Sequence, residues 1–263
     1  GTSPRAVAVH PSGKFFYTIN NVSNDVSANV LSATGLVTAV TGSPFFLDNT
    51  AQGPTAVAVS PNGLFLFVAN RTSSNVSVFS INPANGALAL ISGSPFSQPS
   101  AVSPTAIAVH PSGNLLFVTN NNGNPGTLSV FNIQSTGFLT DVAGSPFPVV
   151  LDPQALVLNE TGTVVYVANK GSNSITAYSV NQNTGDLTQP ATFSTGVGLA
   201  PSSLAVGPGD RFLYVANSGG AGTIGLFLID PVTGALSPPS TTQMISTGAH
   251  PQFITIDPAG RTL

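Results

Sequence analysis

Apolar residues in this chain come in short runs, broken every few positions by Gly, Pro, Asn and Ser. The stretch from Pro54 to Phe96 shows the order most clearly. Ala56–Val59 is apolar at every position, a Pro61-Asn62-Gly63 turn follows, and Leu64–Val68 is apolar throughout and bulkier. A polar loop then leads to Val76, Ser77, Val78 and Phe79, where apolar and polar positions begin to alternate. Runs of four to eight β-branched and aromatic residues between such breakers predict strands. No segment holds a 3.6-residue period, so helical repeats are excluded.

The same order of signals recurs from Pro4, Pro54, Pro104, Pro153, Pro201 and Pro251. A spacing of about 50 residues is one that propellers and solenoids use. Within a unit the first run is small on both faces and the second bulky on both. The third alternates, and the fourth is thin and half polar, as at Leu36, Thr38 and Val40. Doubly buried strands lose their alternation, and a two-layer sandwich would show alternation in most strands. The gradient predicts an all-β fold, a β-propeller of four-stranded antiparallel blades. In the first unit the strands are predicted near Ala6–Val9, Phe15–Ile19, Val26–Val30 and Leu36–Val40.

Three units close on Gly-Ser-Pro-Phe, ending at Phe45, Phe96 and Phe147. The proline is expected to stop the fourth strand from pairing onward, and the phenylalanine to plug the gap between blades. Units four and five lack this closure and turn on Asn183-Thr184-Gly185 and Asp230-Pro231-Val232-Thr233-Gly234, where Asp230 reads as turn chemistry. The reading is one domain over residues 1–263, with five complete repeats and a partial sixth. Leu263 aligns with Leu66, inside a second strand, so the chain is expected to be a fragment of a six- or seven-bladed propeller. The open blade edge could then pair with another chain.

Composition narrows the function classes. Only 6% of the residues are charged and the net charge is −3. No basic patch is available for nucleic acid, and no apolar run approaches the roughly 20 residues of a membrane span. With no cysteine there is neither a disulfide nor a thiolate metal site. Sparse lysine with abundant Ser, Thr and Asn fits an exported protein, secreted, periplasmic or at the cell surface. Four Asn-x-Ser/Thr sequons, at Asn21, Asn70, Asn75 and Asn159, read as incidental in so Asn-rich a chain.

The phrases Pro-x-x-Ala-Val, Pro-x-Gly-x-x-(Leu/Phe)-(Phe/Tyr)-Val-(Ala/Thr)-Asn and Asn-x-(Val/Ile)-(Ser/Thr) run through essentially the whole chain. In them the sequence resembles the lactonase-type, 6-phosphogluconolactonase-like seven-bladed propellers and the related YVTN-repeat propellers of surface proteins. The resemblance implies the fold, and it implies a His soon after Pro-Arg at a first strand with a Glu just past the Asn of a second in the active members. Here Pro4-Arg5 leads to Ala6, and Thr55, Thr105, Gln154, Ser202 and Gln252 follow the other prolines. Asn21, Arg71, Asn121, Lys170 and Ser218 stand past the Asn, with no acid among them.

In a propeller the loops between strands four and one and between strands two and three share one end of the blades. That end would collect Arg5, Asp48, Asp152 and His250 beside first strands, and Asp25, Arg71 and Lys170 further out. An arginine there could hold a carboxylate or phosphate, and a histidine could move a proton; solvated loop charge is the alternative reading of each. His10 and His110 repeat in His-Pro-Ser-Gly turns at the opposite end and read as structural, and Glu160, at the place of the Pro61 turn, reads as plain surface. No metal site or cofactor is implied. Two functions follow: an exported, non-enzymatic binding or surface-assembly module for a small molecule, glycan or protein, or a lactone hydrolase acting on a sugar lactone.

Overall fold

The computed structural model describes residues 1–97, 103–121, 123–196, 199–237, 244–257, 260 and 262. Pro258 and Ala259 of the last Pro-x-Gly turn and the expected end of the sixth repeat at Leu263 lie outside the described residues. The strands form five antiparallel sheets, one per repeat, each ordered first-second-third-outer. The first sheet runs Pro4–Val9, Phe15–Asn20, Asp25–Leu31 and Val37–Ala39, and the other four repeat it. This is the blade architecture of a β-propeller. The sheets group into two compact units, residues 1–120 with 129–141, and residues 121–128 with 142–263. The first unit holds blades 1 and 2 and most of blade 3, and the second holds blades 4 and 5.

The second strands explain the missing alternation. Every residue of Phe65–Asn70, Leu115–Asn120 and Val164–Asn169 is buried. Side chains still alternate in direction, but in blade 2 each direction meets a neighbouring blade. Leu66 and Val68 pack with Phe15, Tyr17 and Ile19 of blade 1. Phe65 and Phe67 pack with Leu116, Val118 and Phe131 of blade 3. In the second unit Val164, Tyr166 and Ala168 pack with Leu213, Val215 and Phe227. Each such side chain taken from water contributes about 1.5–3 kcal/mol. The alanine-rich first strands are half-exposed, so the densest burial lies one strand further out than the small residues suggest.

The asparagine at the end of the second strand has a partner two residues into the third in blades 1 to 4; in blade 5 that place is Gly225, and Asn217 donates instead to Thr223 Oγ1 at 3.2 Å. Asn70 Nδ2 donates to Ser77 Oγ at 2.9 Å, and Asn169 Nδ2 to Thr176 Oγ1 at 2.9 Å. The Asn-x-(Val/Ile)-(Ser/Thr) phrase is therefore the far half of an intrablade hydrogen bond. Burial of Asn70, Asn75 and Asn159, at 0, 6 and 7% exposure, takes three of the four sequons out of reach of modification.

The Gly-Ser-Pro-Phe closures act differently from expectation. The outer strand of blade 1 is interrupted after Ala39, but Phe45–Phe46 returns to pair with the same third strand, Val26 opposite Phe45. The serine bridges the interruption: Ser43 Oγ accepts from the Ala28 amide and Ser94 Oγ from the Val78 amide, each at 2.9 Å. The proline thus removes a donor without ending the pairing. Phe96 does meet the next blade, edge-on to Phe138 at 4.8 Å.

His10 and His110 are buried in their turns. His10 Nδ1 accepts the Ser12 amide at 3.1 Å, so Nε2 carries the proton donated to the Gly63 carbonyl of blade 2 at 3.0 Å. The imidazole is an interblade clasp. Glu160 accepts the Gly209 amide at 3.1 Å, joining blade 4 to blade 5.

Candidate functional site

The end of the blades that carries the loops from the second to the third strand is built from one backbone device, repeated. The residue before each repeat proline is left-handed: Ser3, Gly53, Ser103, Asp152, Ala200 and His250 have φ between 47 and 66°. Residues before proline normally take extended backbone, so this conformation has to be held from outside. Its carbonyl is turned to the loop past the second strand and accepts the amide of Asn21, Arg71, Lys170 or Ser218, at 2.9 Å in blades 1, 2, 4 and 5. Immediately after the proline the ladder skips one residue in all five sheets, at Arg5, Thr55, Thr105, Gln154 and Ser202. A bulge of this kind re-aims the side chain it frees. Each blade thus presents three positions together: before the proline, after it, and past the Asn.

In the second unit these positions are linked in two groups, one from blade 3 to blade 4 and one from blade 5 to the sixth repeat. Asn121 Nδ2, past the second strand of blade 3, donates to Asp152 Oδ1 at the head of blade 4. Gln154 Nε2 donates to the same oxygen at 2.6 Å, and the Asp152 carbonyl holds the Lys170 amide. The Lys170 side chain is half-buried and makes no ion pair or hydrogen bond to a described residue. In blade 5, Ser218 is clamped to the Ala200 carbonyl by its amide and its hydroxyl, both at 2.9 Å. Its own carbonyl accepts from His250 Nδ1 at 2.8 Å, across to the sixth repeat. A carbonyl only accepts, so Nδ1 carries a proton and the neutral ring keeps its lone pair on Nε2, in an exposed residue. The lead-in to His250 can approach because residue 222 is glycine: a Cβ there would lie 2.4 Å from the Gly248 carbonyl oxygen.

The remaining sequence candidates are placed as follows. Arg5, exposed at its bulge, and Arg71, half-buried past its Asn, belong to blades 1 and 2 of the first unit, and neither side chain hydrogen-bonds to a described residue. Asp48 sits in the lead-in loop to blade 2, where Oδ1 accepts the Thr50 hydroxyl at 2.6 Å and its amide at 2.9 Å. Those bonds, the hydroxyl first, hold its carboxyl below the usual aspartate range, so its charge is spent on a turn. Asp25 is buried and accepts from Asn20 Nδ2 at 2.6 Å. Among the described residues no group of three or more His, Asp and Glu could hold a metal ion.

Sequence reasoning placed Asp152, Lys170 and His250 at this end but missed what positions them. Ser218 as anchor of the imidazole and Asn121 as partner of Asp152 act through a carbonyl and an amide that carry no titratable signal. The one available cue was that Gly53, Asp152 and His250 occupy the same place before the repeat proline, where glycine and aspartate are the types most at ease with positive φ.

The family described as "Lactonase, 7-bladed beta-propeller" matches this chain in three overlapping segments, residues 1–153, 96–200 and 156–263. No curated protein sequence matches it. Among solved structures, a candidate 6-phosphogluconolactonase of Bacteroides uniformis superposes with a TM-score of 0.81 at 22% identity, over 97% of this chain and 75% of that one. The periplasmic gluconolactonase of Pseudomonas aeruginosa gives 0.80 at 22% identity, over 98% and 76%. A protein of unknown function from Desulfotomaculum acetoxidans gives 0.75 at 18% identity, over 99% and 74%. At these identities the structural likeness speaks to the fold.

Proposed function

Because this chain belongs to the lactonase family of seven-bladed β-propellers, we propose that it is a lactone hydrolase acting on the lactone of a sugar acid. The observation that carries the reading is His250, whose Nδ1–H is fixed to the Ser218 carbonyl and whose Nε2 is left as an oriented base. In the proposed reaction Nε2 takes a proton from water as its oxygen bonds to the lactone carbonyl carbon. The same proton passes to the ring oxygen as the carbon–oxygen bond breaks, releasing the hydroxy acid. Lys170, the cation at this end of blade 4, would attract the carboxylate of the product or an acidic group on the substrate. The names of the structural relatives support the substrate class, and family membership weighs for hydrolysis over the binding-module alternative.

That alternative keeps one observation in its favour: no acid stands past the Asn in any described blade, where active relatives of this type are expected to carry Glu. Export is proposed alongside either function, supported by the sparse charge and by the periplasmic location named for the Pseudomonas relative.

The test is hydrolysis of glucono-δ-lactone and its 6-phosphate by the purified chain, above the spontaneous rate. Turnover is expected, and His250→Gln should lower kcat by roughly 10²–10⁴-fold with KM little changed. Lys170→Met should raise KM more for the phosphorylated substrate. No turnover of either lactone, together with saturable binding of gluconate, would replace this reading with the binding module.

A further inference from the structure

A groove of about 630 Å³ lies in the first unit between blades 1 and 2, at the end of those blades opposite their loops from the second to the third strand. Volumes of this order are those that enclose small ligands. Its walls come from the Pro-Ser-Gly turn and outer strands of blade 1 and from the outer turn of blade 2. They include the apolar residues Phe15, Val30 and Leu31 and the polar residues Thr41 and Asn85. Lys14 is its one charged lining residue, exposed, and its ammonium pairs with no described residue.

The repeat shows how such a junction looks when it is filled. Gly86 and Gly137 are equivalent: an added Cβ at either would strike the phenylalanine that opens the preceding blade's second strand, Phe15 at 2.5 Å or Phe65 at 2.6 Å. The residue after Gly137 is Phe138, whose ring packs edge-on to Phe96 and against Gly93. The residue after Gly86 is Ala87, partly buried against the blade 1–2 core. A methyl therefore stands at the blade 1–2 junction where a ring stands at the next, in the same outer turn whose Ala84 and Asn85 line the groove.

We propose that this groove is a binding site for a small anionic amphiphile, a carboxylate or sulfonate on an apolar body, with the body against Val30 and Leu31 and the anion at Lys14. The sign of charge follows from the lining, which has a cation and no acid. The apolar body follows from half-covered aliphatic walls, which gain by leaving water.

The probe is 1-anilinonaphthalene-8-sulfonate, followed by fluorescence titration. One saturable site is expected. Ala87→Phe introduces the ring that blade 3 carries at the same place, so it should fold with an unchanged melting temperature and abolish the saturable signal. Lys14→Glu should weaken binding roughly ten-fold, the scale of one charge-assisted contact. Val7→Ser, on an exposed first-strand face outside the groove, should leave it unchanged. Binding that survives both Ala87→Phe and Lys14→Glu, or that only Val7→Ser removes, overturns the proposal, as does the absence of a saturable site.

Discussion

Asn169 illustrates how much a single repeated side chain carries. It is buried, its Nδ2 donates to Thr176 Oγ1 and to the Val167 carbonyl, and its Oδ1 meets no donor among the described residues, as at Asn70 and Asn217. Asn169→Ala should cost about 1–2 kcal/mol, the value of the lost hydrogen bonds less the relief of a buried acceptor. Asn169→Asp should cost about 3 kcal/mol or more, because a carboxylate would face the Val167 carbonyl without a cation. Urea denaturation midpoints compare the two, and a less damaging aspartate would refute the assignment. Tyr17 makes a second residue-scale prediction. Burial pushes its phenol up to about 12, and burial with the negative Asp210 nearby pushes Tyr166 higher still. A raised folded value means stability that is fully present below the unfolded value near 10 and is lost as pH rises toward 12. Ultraviolet titration should find Tyr17 ionising near pH 12 in the folded protein, and Tyr17→Phe should reduce the loss of stability over that range. Asp48 runs the other way. Its lowered value contributes stability above the ordinary 3.8 that disappears as pH falls below it, and Thr50→Val should return its carboxyl resonance to the ordinary aspartate range in an NMR titration.

At the scale of the strand and turn, the joint between blades rests on a glycine. Gly86 and Gly234 have φ of +74 and +71°, and their carbonyls accept the hydroxyls of Tyr17 and Tyr166 in the preceding blade. A Cβ at 234 would lie 2.5 Å from Val164 Cγ2. Gly234→Ala should therefore cost about 2–4 kcal/mol through backbone strain and overpacking together, measured as a fall in melting temperature. Elements of this kind were legible in the sequence where the pattern was local. The strands of blade 1 begin and end within about two residues of expectation, and the turns at Pro11, Pro61 and Pro111 are where the Pro-x-Gly triplets place them. What was not legible was nonlocal. The return of Phe45–Phe46 to the third strand depends on Ser43 substituting for a ladder partner across 15 residues. The bulge after each repeat proline leaves the apolar pattern of the strand intact, so periodicity carries no trace of it.

For the whole molecule, recurrence made the architecture readable and chemistry hard to read. A signal copied five times announces a blade, whereas a functional group is by nature the copy that differs. His250 was visible because histidine is rare here, but its anchor, Ser218, looks like every other serine in a chain full of them. The left-handed residue and the bulge are supplied by the main chain in all five blades, and the loop amide in blades 1, 2, 4 and 5, so the side chains at these positions are interchangeable in principle. A histidine written in place of Ala200 would inherit the same φ and the same outward direction that His250 has now. On such a scaffold a single substitution before a repeat proline would carry a side chain's chemistry from one blade to another without changing the backbone that holds it.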